Sequence, residues 1–164
     1  GMRTMGTSGS SGITIGRPSR VMRSRPSISL SPPFARPRSP PPAVVAGAAA
    51  GLGRATALRL ARAGADICLV DVDAQGLDAA ANEVRALGAK AIAVALDLGV
   101  ADNCRSAVAA ALQAFRRLDA LCNVAAVFIP CHTTEMSAAA WDKTLAVNLS
   151  APFHLIQAAI ERGQ

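Results

Sequence analysis

From residue 43 onward, the hydrophobic and polar positions switch repeatedly between an unbroken apolar run and a helical period. Ala43 to Ala46 is a short apolar run, and the spacing from Leu52 to Ala63 is helical and stops at Gly64. Asp66 to Val70 returns to a run, I-C-L-V. Ala74 to Leu87 puts Leu77, Ala80, Ala81, Val84 and Leu87 on one helical face, with Gly88 after it. The pattern then predicts a strand over Ala89 to Leu96, a helix over Ala101 to Phe115 and a strand over Leu118 to Val124. A loop through Pro130 leads to a long helix from about Ser137 to Glu161. Strands that are apolar at every residue need cover on both faces, so the alternation predicts a parallel sheet between helical layers.

Right-handed crossovers turn that order of elements into a doubly wound α/β sheet with strand order 3-2-1-4. Its topological switch point lies between strands one and four, beyond Gly47 and Asn123, and a ligand is expected there. The chemistry of Val44 to Asp71 agrees. The first strand meets Gly47, Gly51 and Gly53, a helix starts at Leu52, and the second strand ends on the acid Asp71. Gly47 permits a tight exit from the strand, and Gly51 and Gly53 let backbone approach a pyrophosphate and helix approach sheet. Free N–H groups at the helix start can face a diphosphate, while Asp71 is placed to accept from ribose hydroxyls. This is the order that a Rossmann-type dinucleotide site requires, and such a site is expected here.

Composition changes the picture in one place. The net charge of +6 suggests nucleic acid until it is divided: residues 1–42 hold seven arginines and no acid, and residues 43–164 sum to −1. The basic character belongs to an arm rich in Ser, Pro and Arg, which lacks a hydrophobic period and is expected to be disordered. A tag-like leader, an organelle transit peptide and a nucleic-acid arm all fit residues 1–42, in that order of preference. Phe34 is the only aromatic there, too few for base stacking. No apolar run approaches the roughly 18 to 20 residues that span a bilayer. Cys68, Cys104, Cys122 and Cys131 show no metal or redox spacing and read as reduced, buried thiols of a cytoplasmic protein, or of an organelle matrix if the arm is a transit peptide. Cys131, His132 and His154 lack further ligands, so no metal is expected.

Residues 43–164 as a whole resemble the N-terminal two-thirds of a short-chain dehydrogenase/reductase. A-G-A-A-A-G-L-G, from Ala46 to Gly53, resembles that family's T-G-x-x-x-G-x-G. Asp97-Leu98 resembles the pair that brackets the adenine ring. L-D-A-L-C-N-V-A-A, from Leu118 to Ala126, resembles L-D-x-L-V-N-N-A-G, with Val124 and Ala126 replacing an asparagine and a glycine. Trp141 to Phe153 resembles the central helix, in which Asn148 matches the asparagine of a catalytic tetrad. The resemblance carries cofactor binding onto Gly47, Gly51, Leu52, Gly53, Asp71, Asp97, Leu98, Asn123 and Ala125. It implies hydride transfer between NAD(H) and a small alcohol or ketone. It also implies that the Asn148 carbonyl holds a relay water. Pro152 has no N–H to offer that carbonyl, so a kink is expected, either for that water or for packing alone. Val124 is expected to loosen the join of strand four, and Ala126 to narrow backbone freedom near the nicotinamide ribose.

Charge favours NAD over NADP. A 2′-phosphate within about 4 Å of Asp71 would be repelled by around 4 kcal/mol at an effective dielectric near 20. Ala50 stands where NADP-preferring relatives often carry a cation, and Arg54, one turn on, is expected to face outward. The family's tyrosine, lysine and serine have no match: the sequence contains no tyrosine. The expectation is therefore an incomplete enzyme, truncated before the C-terminal strands, that holds a cofactor without turning it over; a non-catalytic dinucleotide-binding module is the alternative. A stripe of Leu145, Leu149, Phe153, Ile156 and Ile160 predicts a homo-oligomer through the 137–161 helix. Trp141 is expected in the core or in that interface.

Overall fold

A computed structural model describes residues 41–162. The arm expected over residues 1–42 lies outside the described residues, apart from its last two prolines. Pro42 belongs to the fold as the first residue of β1 (Pro42–Ala46), a position where a missing N–H is tolerated. Then follow α1 (Gly51–Arg62), β2 (Asp66–Asp71), α2 (Ala74–Ala86), β3 (Ala91–Ala95), α3 (Ala101–Phe115) and β4 (Ala120–Asn123). A 3-10 turn at Thr133–Glu135 precedes α4 (Ala138–Leu145), whose N-terminus is capped by the Ser137 hydroxyl accepting from Ala140 N–H at 3.2 Å. The single long helix expected here is divided. Ala146–Ser150 forms a π turn before α5 (Ala151–Arg162), and the Ala151 N–H reaches back five residues to the Ala146 carbonyl. The proline at 152 cannot continue the i→i−4 ladder, and the wider turn absorbs the break.

The four strands are parallel, in the order β3-β2-β1-β4. Alternate residues of the two central strands feed opposite cores. Val45, Ile67 and Leu69 pack with α1 and α2, while Val44, Cys68 and Val70 pack with α3 and α5. Both faces of β1 and β2 are therefore buried, which is why the strands read as unbroken apolar runs. β4 stops at Asn123, yet the Val124 N–H still donates to the Ala46 carbonyl at 3.0 Å. The backbone keeps this join without the asparagine side chain. Among the described residues, no helix is long and apolar enough to cross a membrane.

Two features of this packing have measurable consequences. α3 ends on Arg116 in the left-handed region, φ 67°, with its N–H on the Leu112 carbonyl at 2.9 Å. A side chain is disfavoured there, so Arg116→Gly is expected to stabilise the fold by about 1 kcal/mol in denaturant unfolding. The thiols also depart from the expectation that all are buried: Cys68 and Cys104 are, Cys122 is half-buried and Cys131 is exposed, all of them free. Burial pushes the Cys68 thiol from 9.0 up to about 12. Above pH 9 an unfolded chain loses this proton while the folded one keeps it, so stability falls as pH rises toward 12. Unfolding free energy should decline by about 1.4 kcal/mol per pH unit from this group in that window, and Cys68→Ala should remove that part of the slope.

Candidate cofactor site

An open cleft of about 310 Å³ lies at the carboxyl ends of the strands. Its floor is made by a close approach of two turns. Gly47, φ +79°, leaves β1, and a Cβ there would stand 2.6 Å from the Ala125 nitrogen and 2.8 Å from its Cα. No side chain fits between the exit of β1 and the exit of β4. The turn is also tied to β2, because Gly47 and Ala48 N–H both donate to the Val70 carbonyl, at 2.8 and 3.2 Å. Gly53 serves packing: a Cβ on it would fall deep within contact of the Gly47 carbonyl oxygen. Gly51 has φ +53° and open space around its Cα, and Leu52 beside it is exposed. The helix they begin has no side-chain cap and no acid in its first turn. Its N–H groups are thus left for an outside acceptor.

Asp71 stands at the tip of β2 and is held from three sides. Its Oδ2 accepts from Ala49 N–H at 3.1 Å, and its Oδ1 accepts from Val72 N–H at 2.7 Å and Asp73 N–H at 3.3 Å. One carboxylate thus links the glycine turn to the β2 exit, and Oδ2 keeps a lone pair free. Arg54, the nearest cation of α1 by sequence, is paired with Glu83 of α2 at half-exposed side chains. Beyond β3, Asp97 Oδ1 accepts from Gly99 N–H at 2.9 Å, and Asn103 Nδ2 donates to the Asp97 carbonyl at 2.8 Å. Leu98 is buried beneath, its carbonyl accepting from the Cys104 thiol at 3.2 Å.

Gly47, Asp71, Asp97, Leu98 and Ala125 come together in the cleft lining, whereas Gly51, Leu52, Gly53, Asn123 and Asn148 lie outside it. Asn148 acts on the lining through Val127. Its Oδ1 accepts from Val127 N–H at 2.8 Å and its Nδ2 donates to the Val127 carbonyl at 2.9 Å. This clamp holds the loop that carries Ala125 and Ala126. Lys143 and Val147 also line the cleft. Sequence reasoning did not single them out as ligand contacts, and their signal is only the four-residue spacing that puts them on one helical face. Trp141 is not core, being 53% exposed.

A family model described as short chain dehydrogenase matches residues 42–162. This chain belongs to that family. It is 38% identical over 118 residues to 2,5-dichloro-2,5-cyclohexadiene-1,4-diol dehydrogenase LinX of Sphingobium indicum, a match covering 72% of this chain and 47% of the relative. A metagenomic short-chain oxidoreductase solved in complex with NADP superposes with a TM-score of 0.71 at 36% identity, covering 76% of this chain and 57% of that one. Carveol dehydrogenase from Mycobacterium avium, solved in complex with NAD, superposes at 0.69 and 25% identity, covering 76% and 50%. The chain spans about half the length of the curated short-chain dehydrogenases it matches.

Proposed function

We propose that residues 42–162 hold NAD, and that the protein to which they belong is an oxidoreductase transferring hydride between NAD(H) and an alcohol or carbonyl substrate. The observation that carries this reading is Asp71, fixed by three backbone amides between the glycine turn and the cleft. Its free lone pair accepts from the ribose hydroxyls, the uncapped start of α1 faces the diphosphate, and the missing Cβ of Gly47 lets the exits of β1 and β4 close up beneath the cofactor. The cofactor supplies a hydride acceptor or donor at its nicotinamide ring. Asn148 keeps the Val127 loop in place beside it. NAD is preferred because a 2′-phosphate would meet the Asp71 carboxylate, Arg54 is occupied by Glu83, and Ala50 offers no charge.

A second reading, a non-catalytic dinucleotide-binding module, is favoured by the absence of tyrosine from these residues. Two further points follow. Leu149 of the π turn and Phe153, Ile156 and Ile160 of α5 are each more than half exposed, which supports association of copies along this face. Four free cysteines fit a reducing compartment such as the cytoplasm.

Calorimetric titration of the full chain with NAD and NADP tests the site. NAD should bind and NADP should bind much more weakly; no binding of either by a folded sample ends the reading. The reading frame beyond codon 164 separates enzyme from module. An in-frame Ser and Tyr-x-x-x-Lys supports the enzyme, and a stop codon supports the module.

A further inference from the structure

The cleft is lined by three charged side chains, Asp71, Asp97 and Lys143. The ribose takes the first. Lys143 makes no ion pair among the described residues. It occupies the last turns of α4, one turn before Val147 on the same face. Val147 fixes where that face points: its Cγ2 lies 3.4 Å from the position a Cβ would take on Gly99, in the turn that begins with Asp97. The Lys143–Val147 face therefore borders the Asp97–Gly99 turn, and Lys143 and Asp97 line the same cleft.

An acceptor and a cationic donor in the lining of one cleft match one chemical pattern in a dinucleotide. The adenine edge carries an amino group, a donor, flanked by ring nitrogens that accept. A carboxylate can only accept and an ammonium can only donate. We infer that Lys143 is an adenine contact that works together with Asp97, the ammonium donating to a ring nitrogen next to the amino group that Asp97 receives. The inference rests on the dinucleotide reading and adds base selectivity to it. A 6-oxo purine would set an oxygen against the Asp97 carboxylate, so hypoxanthine is disfavoured in this cleft.

The test uses the full chain and two-dimensional NMR titration with 5′-AMP, 5′-IMP and nicotinamide mononucleotide, which carry one phosphate each and differ in base. AMP should bind more tightly than IMP. Lys143→Met should weaken AMP by about three- to tenfold, the net range for one hydrogen bond made in contact with solvent. Nicotinamide mononucleotide affinity and the melting temperature should not change, and Lys143→Arg should keep most of the AMP affinity. Equal losses for AMP and nicotinamide mononucleotide would assign the ammonium to phosphate and overturn the inference. A loss confined to NADP would assign it to a 2′-phosphate, with the same result. An unchanged AMP affinity in Lys143→Met overturns the inference while leaving NAD binding intact. Absence of both AMP and NAD binding by the folded parent removes the dinucleotide reading, and this one with it.

Discussion

Gly53→Ala is expected to destabilise this fold by about 3 to 5 kcal/mol, at the upper end for a single methyl group. The added carbon would overlap the Gly47 carbonyl oxygen, and the next atoms it meets, the Gly47 carbonyl carbon and Ala48 Cα, are backbone as well. No flexible side chain can swing away. Relief requires moving α1 off the exit of β1, which would also pull on the two bonds from Gly47 and Ala48 to the Val70 carbonyl. Gly51→Ala provides the internal control. Its φ of +53° carries strain, but nothing lies within 4 Å of the new carbon, so the cost should be about 1 to 2 kcal/mol. Denaturant unfolding of both variants measures the difference. A Gly53→Ala variant within 1 kcal/mol of the parent would mean that α1 does not pack as described.

The second large effect is expected at Asp71. Asp71→Ala should weaken NAD by about tenfold or more, because a charged hydrogen-bond acceptor is lost. It should also abolish discrimination between NAD and NADP. In the parent, repulsion of roughly 4 kcal/mol at close range, reduced by solvent and salt, should still disfavour NADP by about a hundredfold. The alanine variant additionally releases the Ala49 N–H from its bond to Oδ2, so part of its loss reflects a freer glycine turn. Asp71→Asn separates the two roles, since an amide oxygen can still accept from Ala49 while the charge is gone. Parallel titrations with NAD and NADP give the answer. Equal affinities in the parent would show that Asp71 does not face the 2′ position.

Much of the architecture was legible because it rests on local periods. The third helix runs from Ala101 to Phe115 as its spacing predicts, and the strand order follows from alternating apolar runs and helices. The misreadings sit where a partner sets the boundary. The fourth strand was expected over Leu118 to Val124 but is in register only over Ala120–Asn123; Asp119 N–H still donates to the Pro42 carbonyl, and Pro42 has no N–H to extend the ladder. The third was expected over Ala89 to Leu96 and is trimmed to Ala91–Ala95 against Ile67 to Asp71. The proline at 152 announced a break in the long helix. The π turn keeps Val147, within it, and Ala151 and Leu155, after it, buried together, a condition that no local pattern announces.

By itself, the sequence determined the order of elements, the three glycines at the first turn and the acid at the end of the second strand. These are properties of single residues and short periods: a missing Cβ, a carboxylate, an apolar run. The tertiary structure alone decided that Asn148 grips Val127 across 21 positions and that Arg54 is held by Glu83 across 29. It also decided that Lys143 turns toward the cleft and that Trp141 stays exposed. Each of these depends on how a helix is rotated and how closely it approaches its neighbour. Those quantities are set by the summed packing of side chains distant in sequence, and no local pattern carries them.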